Sequence, residues 1–176
     1  MQLFTIWLFF WWHFAMANPH PSIYGFDEIV VVIEENLITK SDITKETALI
    51  KTLPMQSDIV QGVREKNPLE GLILLELIVQ MAGDTSLYKA KEEDIFSRLE
   101  IFKAQWESPN EYKSFLDSTH INEEYLKRII ERHIVVEQYV YRNLGIVNQT
   151  NSLETKEKFQ DWVLLNKEKI SIRYLN

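Results

Sequence analysis

Residues 67–83 read NPLEGLILLELIVQMAG, and this stretch decides the fold. Asn67 is a good helix N-cap, Pro68 suits the first helical position, and Glu70 adds a favourable charge to the first turn. Gly83 is a natural helix stop. The residues between these signals are apolar nearly all round the helix, a pattern typical of a helix buried on every side. The sequence therefore predicts a central helix against which the other elements pack.

The next three helices after the central one are each predicted from a local pattern. Residues 91–106 are amphipathic, Ser108 and Pro109 open a short helix with a capping box, and Asn122 opens a long helix that Gly145 ends. The apolar sides of these helices are predicted to contain Ile95, Phe96, Leu99, Phe102 and Trp106 in the first, Tyr112, Phe115 and Leu116 in the second, and Leu126, Ile129, Ile130, His133, Val136, Val140 and Leu144 in the third.

Short strands are predicted near both ends of the globular part. Residues 29–33 read IVVVI, a β-branched run of strand length, and residues 37–38 resume it after a polar turn in which Asn36 tolerates a positive φ. Residues 170–175 begin with apolar and polar positions in alternation, as a strand does. Isolated strands leave their backbone groups unpaired. We therefore expect residues 29–33 to pair with residues 171–174.

Two further helices connect these strands to the centre. Thr39 and Asp42 have the spacing of a capping box, which opens a helix over residues 41–53 that Pro54 ends. A last helix over residues 153–166 should place Phe159, Trp162 and Val163 inward. The predicted fold class is mainly α, with a small β-sheet that pairs the N-terminal and C-terminal strands.

Composition and motifs argue against several function classes. The chain has 176 residues, of which 45% are hydrophobic and 26% charged, so one compact domain is expected. A net charge of −7 disfavours nucleic acid and anionic membrane surfaces as partners. The absence of cysteine excludes disulfides and thiol chemistry. No nucleophile elbow, phosphate-binding loop or dinucleotide fingerprint is present, so the sequence predicts no enzyme activity and no cofactor.

The titratable residues do not form a recognisable catalytic or metal-binding pattern. No two of the four histidines have a metal-ligand spacing. His133 lies on the apolar side of the long helix and is predicted to be a satisfied core or boundary residue rather than a ligand or general base. The acidic runs at residues 34–35 and 92–94 are predicted to be a solvated turn and a helix start. No metal site is therefore predicted.

The first residues predict export. Residues 1–17 read MQLFTIWLFFWWHFAMA, in which an apolar run of signal-peptide length precedes Ala15 and Ala17 at the small-residue cleavage positions. The run is too short to span a membrane. No basic residue precedes Lys40, which departs from the usual signal peptide. We expect cleavage before Asn18 and a mature single domain over residues 18–176.

The order of these elements resembles the SurA-type periplasmic chaperones. Residues 27–43, DEIVVVIEENLITKSDI, are similar to the opening of the mature chaperones in this family: a strand, a tight turn, a short strand ending in Ile-Thr and a helix start. The segments KEEDIFSRLEIF, SPNEYKSFL and INEEYLKRIIERHIVVEQYV then follow the family's helical core, and the last helix and strand follow its chain end. Residues 27–145 match the N-terminal module and residues 153–176 the closing segment. Residues 145–153 leave no room for the parvulin-type prolyl isomerase domains that family members usually carry there.

The resemblance implies an ATP-independent periplasmic holdase for unfolded or outer-membrane client polypeptides, without prolyl isomerase activity. Aromatic residues on short helices, which a small domain covers only partly, are the predicted client-binding groups. The alternative is a dedicated interaction or assembly subunit with one partner or with itself, because the terminal strands could exchange between two copies in a homodimer. The predicted client-binding residues are Phe102, Trp106, Tyr112, Phe115 and Tyr139.

Overall fold

The computed structural model describes residues 27–83, 85–145 and 153–175, and these contain seven helices and one three-stranded sheet. The predicted mainly α fold with a small sheet is confirmed. The predicted signal peptide over residues 1–17 and the cleavage site before Asn18 lie outside the described residues. In chain order the elements are β1 (Ile29–Ile33), β2 (Asn36–Thr39), α1 (Lys40–Thr52), α2 (Asp58–Lys66), α3 (Pro68–Ala82), α4 (Glu92–Lys103), α5 (Pro109–Thr119), α6 (Glu123–Leu144), α7 (Leu153–Lys167) and β3 (Ile172–Tyr174).

Helix α3 is the centre of the fold, as its apolar sequence predicts. Eight of its 15 residues are buried. Its N-terminus is capped by the Asn67 side chain, whose Oδ1 accepts hydrogen bonds from the backbone N–H groups of Leu69 and Glu70 at 3.1 and 3.3 Å. Leu72 and Ile73 pack under the sheet, whereas Leu74, Leu75, Ile78 and Ala82 pack against α6 and α7 residues in a second cluster.

The predicted pairing of the two terminal strands is confirmed. The sheet order is β2-β1-β3, with β1 antiparallel to both neighbours. Val31 lies opposite Tyr174, and Ile33 lies opposite Ile172. The side chains of Val31 and Ile33 are fully buried on the face that contacts α3. The C-terminal strand therefore closes the sheet over the central helix.

The turn between β1 and β2 differs from the sequence expectation. The positive φ falls at Glu34, with a value of 51°, and not at Asn36, which is already the first residue of β2. The Glu34 carboxylate accepts a hydrogen bond of 2.6 Å from the backbone N–H of Ser171, the residue before β3, and this contact stabilises the strained residue. The Asn36 side chain instead donates to Glu76 Oε1 on α3 at 2.6 Å.

Two local assignments are corrected by the structure. Helix α2 was not expected, because its buried face includes Gln61 and Arg64, which interrupt the apolar spacing that reveals other helices. Phe96 was expected on the apolar side of α4, but its side chain is 63% exposed. Adjacent helical residues point about 100° apart, and packing of Ile95 and Leu99 against the core directs Phe96 into solvent.

A buried polar cluster fixes α2 against its neighbours. The Arg64 side chain is fully buried, and its Nε donates to Glu46 Oε1 of α1 at 2.6 Å. Its Nη1 donates to Gln61 Oε1 at 2.8 Å, and Gln61 Nε2 donates to the Ile50 carbonyl at 3.0 Å. Gly71 of α3 lies directly against Arg64: a Cβ at this glycine would be 2.8 Å from Arg64 Cα. Only glycine permits this close approach of α2 and α3.

Two glycine substitutions should therefore change stability in opposite directions. Gly71→Ala should lower the free energy of unfolding by about 1–3 kcal/mol, because it forces α2 away from α3. Gly62→Ala should raise it by up to about 1 kcal/mol, because no atom lies within 4 Å of the new Cβ and alanine favours the exposed helix. Urea unfolding of the two variants checks both signs. Equal stability of the wild-type protein and Gly71→Ala would contradict the close approach.

His133 lies in the core, as predicted, but part of its hydrogen-bonding capacity is unused. The residue is 1% exposed, and within the described part of the chain its Nε2 has no hydrogen-bond partner. Burial lowers the pKa of His133 well below the usual 6.5, and the positive charges of Arg64, Arg132 and Arg98 lower it further. The imidazole is therefore neutral in the folded protein at neutral pH.

This depressed pKa predicts a loss of stability in mild acid. As the pH falls below about 6.5, the unfolded chain takes up the His133 proton while the folded protein does not. The free energy of unfolding should fall by up to about 1.4 kcal/mol per pH unit until the folded protein is also protonated. Urea unfolding between pH 7.5 and 5 should show a shallower slope for His133→Gln than for the wild type. Identical slopes would mean that His133 titrates alike in both states.

Candidate functional site

Four of the five predicted client-binding residues come together between α4 and α5. Phe102 lies at the middle of this group, with ring centroids 6.1 Å from Trp106, 6.2 Å from Tyr112 and 5.9 Å from Phe115. Trp106 and Phe115 are closest, at 4.7 Å. We call these four residues the α4–α5 aromatic cluster. Their local sequence explains the grouping, since two short helices joined by a tight connection bring their apolar sides together.

The rings of the α4–α5 aromatic cluster pack against one another and leave no open groove between them. Phe102 is fully buried, and the other three rings are partly buried. Burial raises the pKa of the Tyr112 phenol to about 12, assisted by the nearby charge of Glu123. Lys103 lies 3.2 Å from the Glu123 carboxylate and 3.4 Å from that of Glu100. In this conformation the rings stabilise the packing of α5 on α4 and are not an open groove.

Tyr139, the fifth predicted residue, lies in a different part of the core. Its ring is 5.2 Å from Tyr88 and 5.8 Å from Trp162, and the residue is 7% exposed. Asn143 Nδ2 donates a 2.8 Å hydrogen bond to the Tyr88 hydroxyl beside it. Tyr139 therefore helps to join α6 to α7 and does not share a surface with the other four residues.

An open apolar groove lies between α2, α3 and α7, and sequence analysis missed it because α2 was not predicted. Its volume is about 870 Å³, against about 500 Å³ and 490 Å³ for hollows beside α6. Charged side chains on its border are Asp58, Lys66, Glu70, Lys156 and Lys167. We call it the α2–α3–α7 groove; its apolar side chains are Ile59, Val63, Leu74, Phe159, Val163 and Leu164.

Two residues of the α2–α3–α7 groove, Gly62 and Leu164, face solvent. Gly62 faces open space, with no heavy atom within 4 Å of the position that a Cβ would occupy. Leu164 is 63% exposed although it belongs to a groove wall. Leu165 follows it on α7, is similarly exposed at 56%, and does not line the groove. The missing side chain at Gly62 leaves room for an apolar group from outside, and Leu164 offers that group an exposed apolar surface.

The two hollows beside α6 are more polar. One contains the Arg132–Glu76 ion pair at 2.7 Å, and the other the Arg98–Glu137 ion pair at 2.5 Å. These pairs already join α6 to α3 and α4, so their charges serve the packing of the helices.

The described residues form neither a metal-binding cluster nor a membrane-spanning helix. Within residues 27–83, 85–145 and 153–175, no three His, Cys, Asp or Glu side chains are arranged to hold a metal ion. No helix in those ranges is long and apolar enough to cross a membrane. Comparison of the chain with protein-family models, curated proteins and solved structures finds no match.

Proposed function

We propose that this protein holds extended, apolar polypeptide segments in the α2–α3–α7 groove, as an exported chaperone that needs no ATP. The observation that carries the proposal is the open apolar groove with an exposed leucine, Leu164, in its wall. Pockets that bind small molecules commonly have volumes of about 300–1,000 Å³. The groove is large enough for a few apolar side chains of a client.

The energetics suit weak, reversible binding. Each large apolar side chain that leaves water contributes about 1.5–3 kcal/mol. Association and the ordering of an extended client cost several kcal/mol. Two or three anchored side chains therefore give a modest net affinity, which lets a client dissociate and fold without nucleotide hydrolysis. The charged border, with Lys167 paired to Glu70 at 2.7 Å, stays hydrated around the apolar floor, as the rim of a protein interface does.

The sequence supports the proposed location and the proposed class of client. Residues 1–17 have the pattern of a signal peptide, and the resemblance to SurA-type chaperones supports the periplasm, unfolded or outer-membrane proteins as clients, and no prolyl isomerase activity. The net charge of −7 favours the solubility of complexes with apolar clients.

The alternative function is a dedicated interaction subunit with one partner or with a second copy. The observation in its favour is the pairing of β1 with β3, since the segment α7–β3 could close the sheet of another copy with the same contacts. A holdase and a dedicated subunit differ in how many unrelated proteins they bind.

The first test concerns general holdase activity. Purified protein at stoichiometric amounts should suppress the aggregation of several unrelated proteins diluted from denaturant, without ATP or metal, as measured by light scattering. Because the groove recognises apolar side chains rather than one sequence, suppression should extend to all of them. Unchanged aggregation of every client, together with one partner that co-purifies or a dimer with exchanged strands, would establish the alternative.

The second test locates the binding site. Leu164→Asp should weaken binding of reduced, carbamidomethylated α-lactalbumin at least several-fold, because it places a charge in the wall of the groove. Fluorescence anisotropy of the labelled client measures this change.

Leu165→Asp is the matched control. It makes the same substitution at the next exposed leucine, outside the groove, and should leave client affinity unchanged. Both exposed positions should change the free energy of unfolding by only about 0.5 kcal/mol. Equal effects of the two substitutions on client affinity would place binding elsewhere.

A further inference from the structure

Helix α5 is attached to the rest of the protein by few interactions. None of its residues is buried, and among the described residues no ion pair joins it to another helix. It ends at His120, a non-glycine residue with a φ of 54°. Such left-handed residues are strained. Helices with few buried contacts open locally at lower free energy than the core does.

The contact surface beneath α5 contains an unsatisfied polar group. Trp106 Nε1 is buried, and it has no hydrogen-bond partner in the described part of the chain. A buried polar group without a partner costs about 1–3 kcal/mol. The conformation in which α5 packs on these rings is therefore less stable than its aromatic contacts alone indicate.

The surface that α5 covers has a defined chemistry. Tyr112, Phe115 and Leu116 of α5 pack on it, and they have the i, i+3, i+4 spacing of one helix face. Beneath them lie Phe102 and Trp106, continuous with the core. Without α5, these two rings would form an apolar surface with the Trp106 N–H as its hydrogen-bond donor.

We propose that α5 is a displaceable helix, and that its local unfolding exposes a second binding surface for an amphipathic helix of another polypeptide. The occupant presents aromatic or leucine side chains at i, i+3 and i+4, in place of Tyr112, Phe115 and Leu116. An acceptor on the occupant, such as a carbonyl or carboxylate, takes the Trp106 N–H hydrogen bond that α5 leaves unmade. This surface is separate from the α2–α3–α7 groove and does not depend on it.

The test uses a probe taken from the chain itself. A fluorescein-labelled peptide of residues 108–120 carries the α5 face and should bind the full chain wherever α5 is open. Helix propensity at the exposed position Lys113 shifts the fraction of molecules with α5 open, and peptide affinity scales with that fraction. Glycine is about 1 kcal/mol less favourable than alanine in a helix, so Lys113→Gly should bind the peptide about fivefold more tightly than Lys113→Ala.

A matched pair at Lys127 controls for charge and for general helix stability. Lys127 is likewise an exposed lysine inside a helix, α6, so Lys127→Gly and Lys127→Ala should bind the peptide with equal affinity. A peptide with serine at positions 112, 115 and 116 should not bind. Equal affinity within the Lys113 pair, a similar ratio within the Lys127 pair, or no binding to Lys113→Gly would each overturn the proposal.

Hydrogen exchange separates displacement of α5 from binding at another site. Amides of residues 110–119 should exchange faster than those of α3 in the free protein, and faster still with saturating peptide. Unchanged protection of α5 in the complex would overturn the proposal even if the peptide binds. Leu164→Asp should leave peptide binding unaffected. Client affinity therefore tests the α2–α3–α7 groove, peptide affinity tests the displacement of α5, and either proposal can fail without the other.

Discussion

The fold depends on the buried ion pair between Arg64 of α2 and Glu46 of α1. Both side chains are almost fully removed from solvent, and the 2.6 Å contact offsets part of the cost of burying two charges. Gln61 accepts from the guanidinium and donates to the Ile50 carbonyl of α1, so the charge is held in one geometry. Removal of either charged partner would leave the other buried alone, which is far more costly than losing a surface pair.

This pair also positions the α2–α3–α7 groove. Arg64 lies against Gly71, which sets the distance between α2 and α3. On a different side of α2, Ile59 and Val63 are then held as one wall of the groove, with α7 as the other. The groove is thus a consequence of how α2 is fixed to α1 and α3. Apart from Asn67, its lining residues all belong to α2, α3 and α7.

The sequence predicts most of the fold because most helix boundaries are encoded locally. Asn67, Asn122 and Thr39 each accept a hydrogen bond from the first turn of their helix, and such signals are visible without tertiary context. Helix α2 was not predicted, because the residues that bury it are a charge and an amide whose partners lie on another helix. The groove that α2 forms could not be predicted for the same reason.

The candidate site shows a similar division between local and tertiary information. Phe102, Trp106, Tyr112 and Phe115 could be grouped from sequence, since neighbouring short helices bring them together. Whether they are open or covered depends on how α5 lies on α4, and the separation of Tyr139 depends on where α7 packs.

The covered rings of the aromatic cluster and the open α2–α3–α7 groove differ in their exposure to water. At the aromatic cluster, helix α5, which has no fully buried residue, shields the rings from water. No described segment covers the α2–α3–α7 groove, and Leu164 remains solvated. If both proposals hold, a polypeptide at the aromatic cluster must compete with α5, whereas one at the groove meets no such competitor among the described residues. The two proposed sites would then differ in selectivity within one small domain.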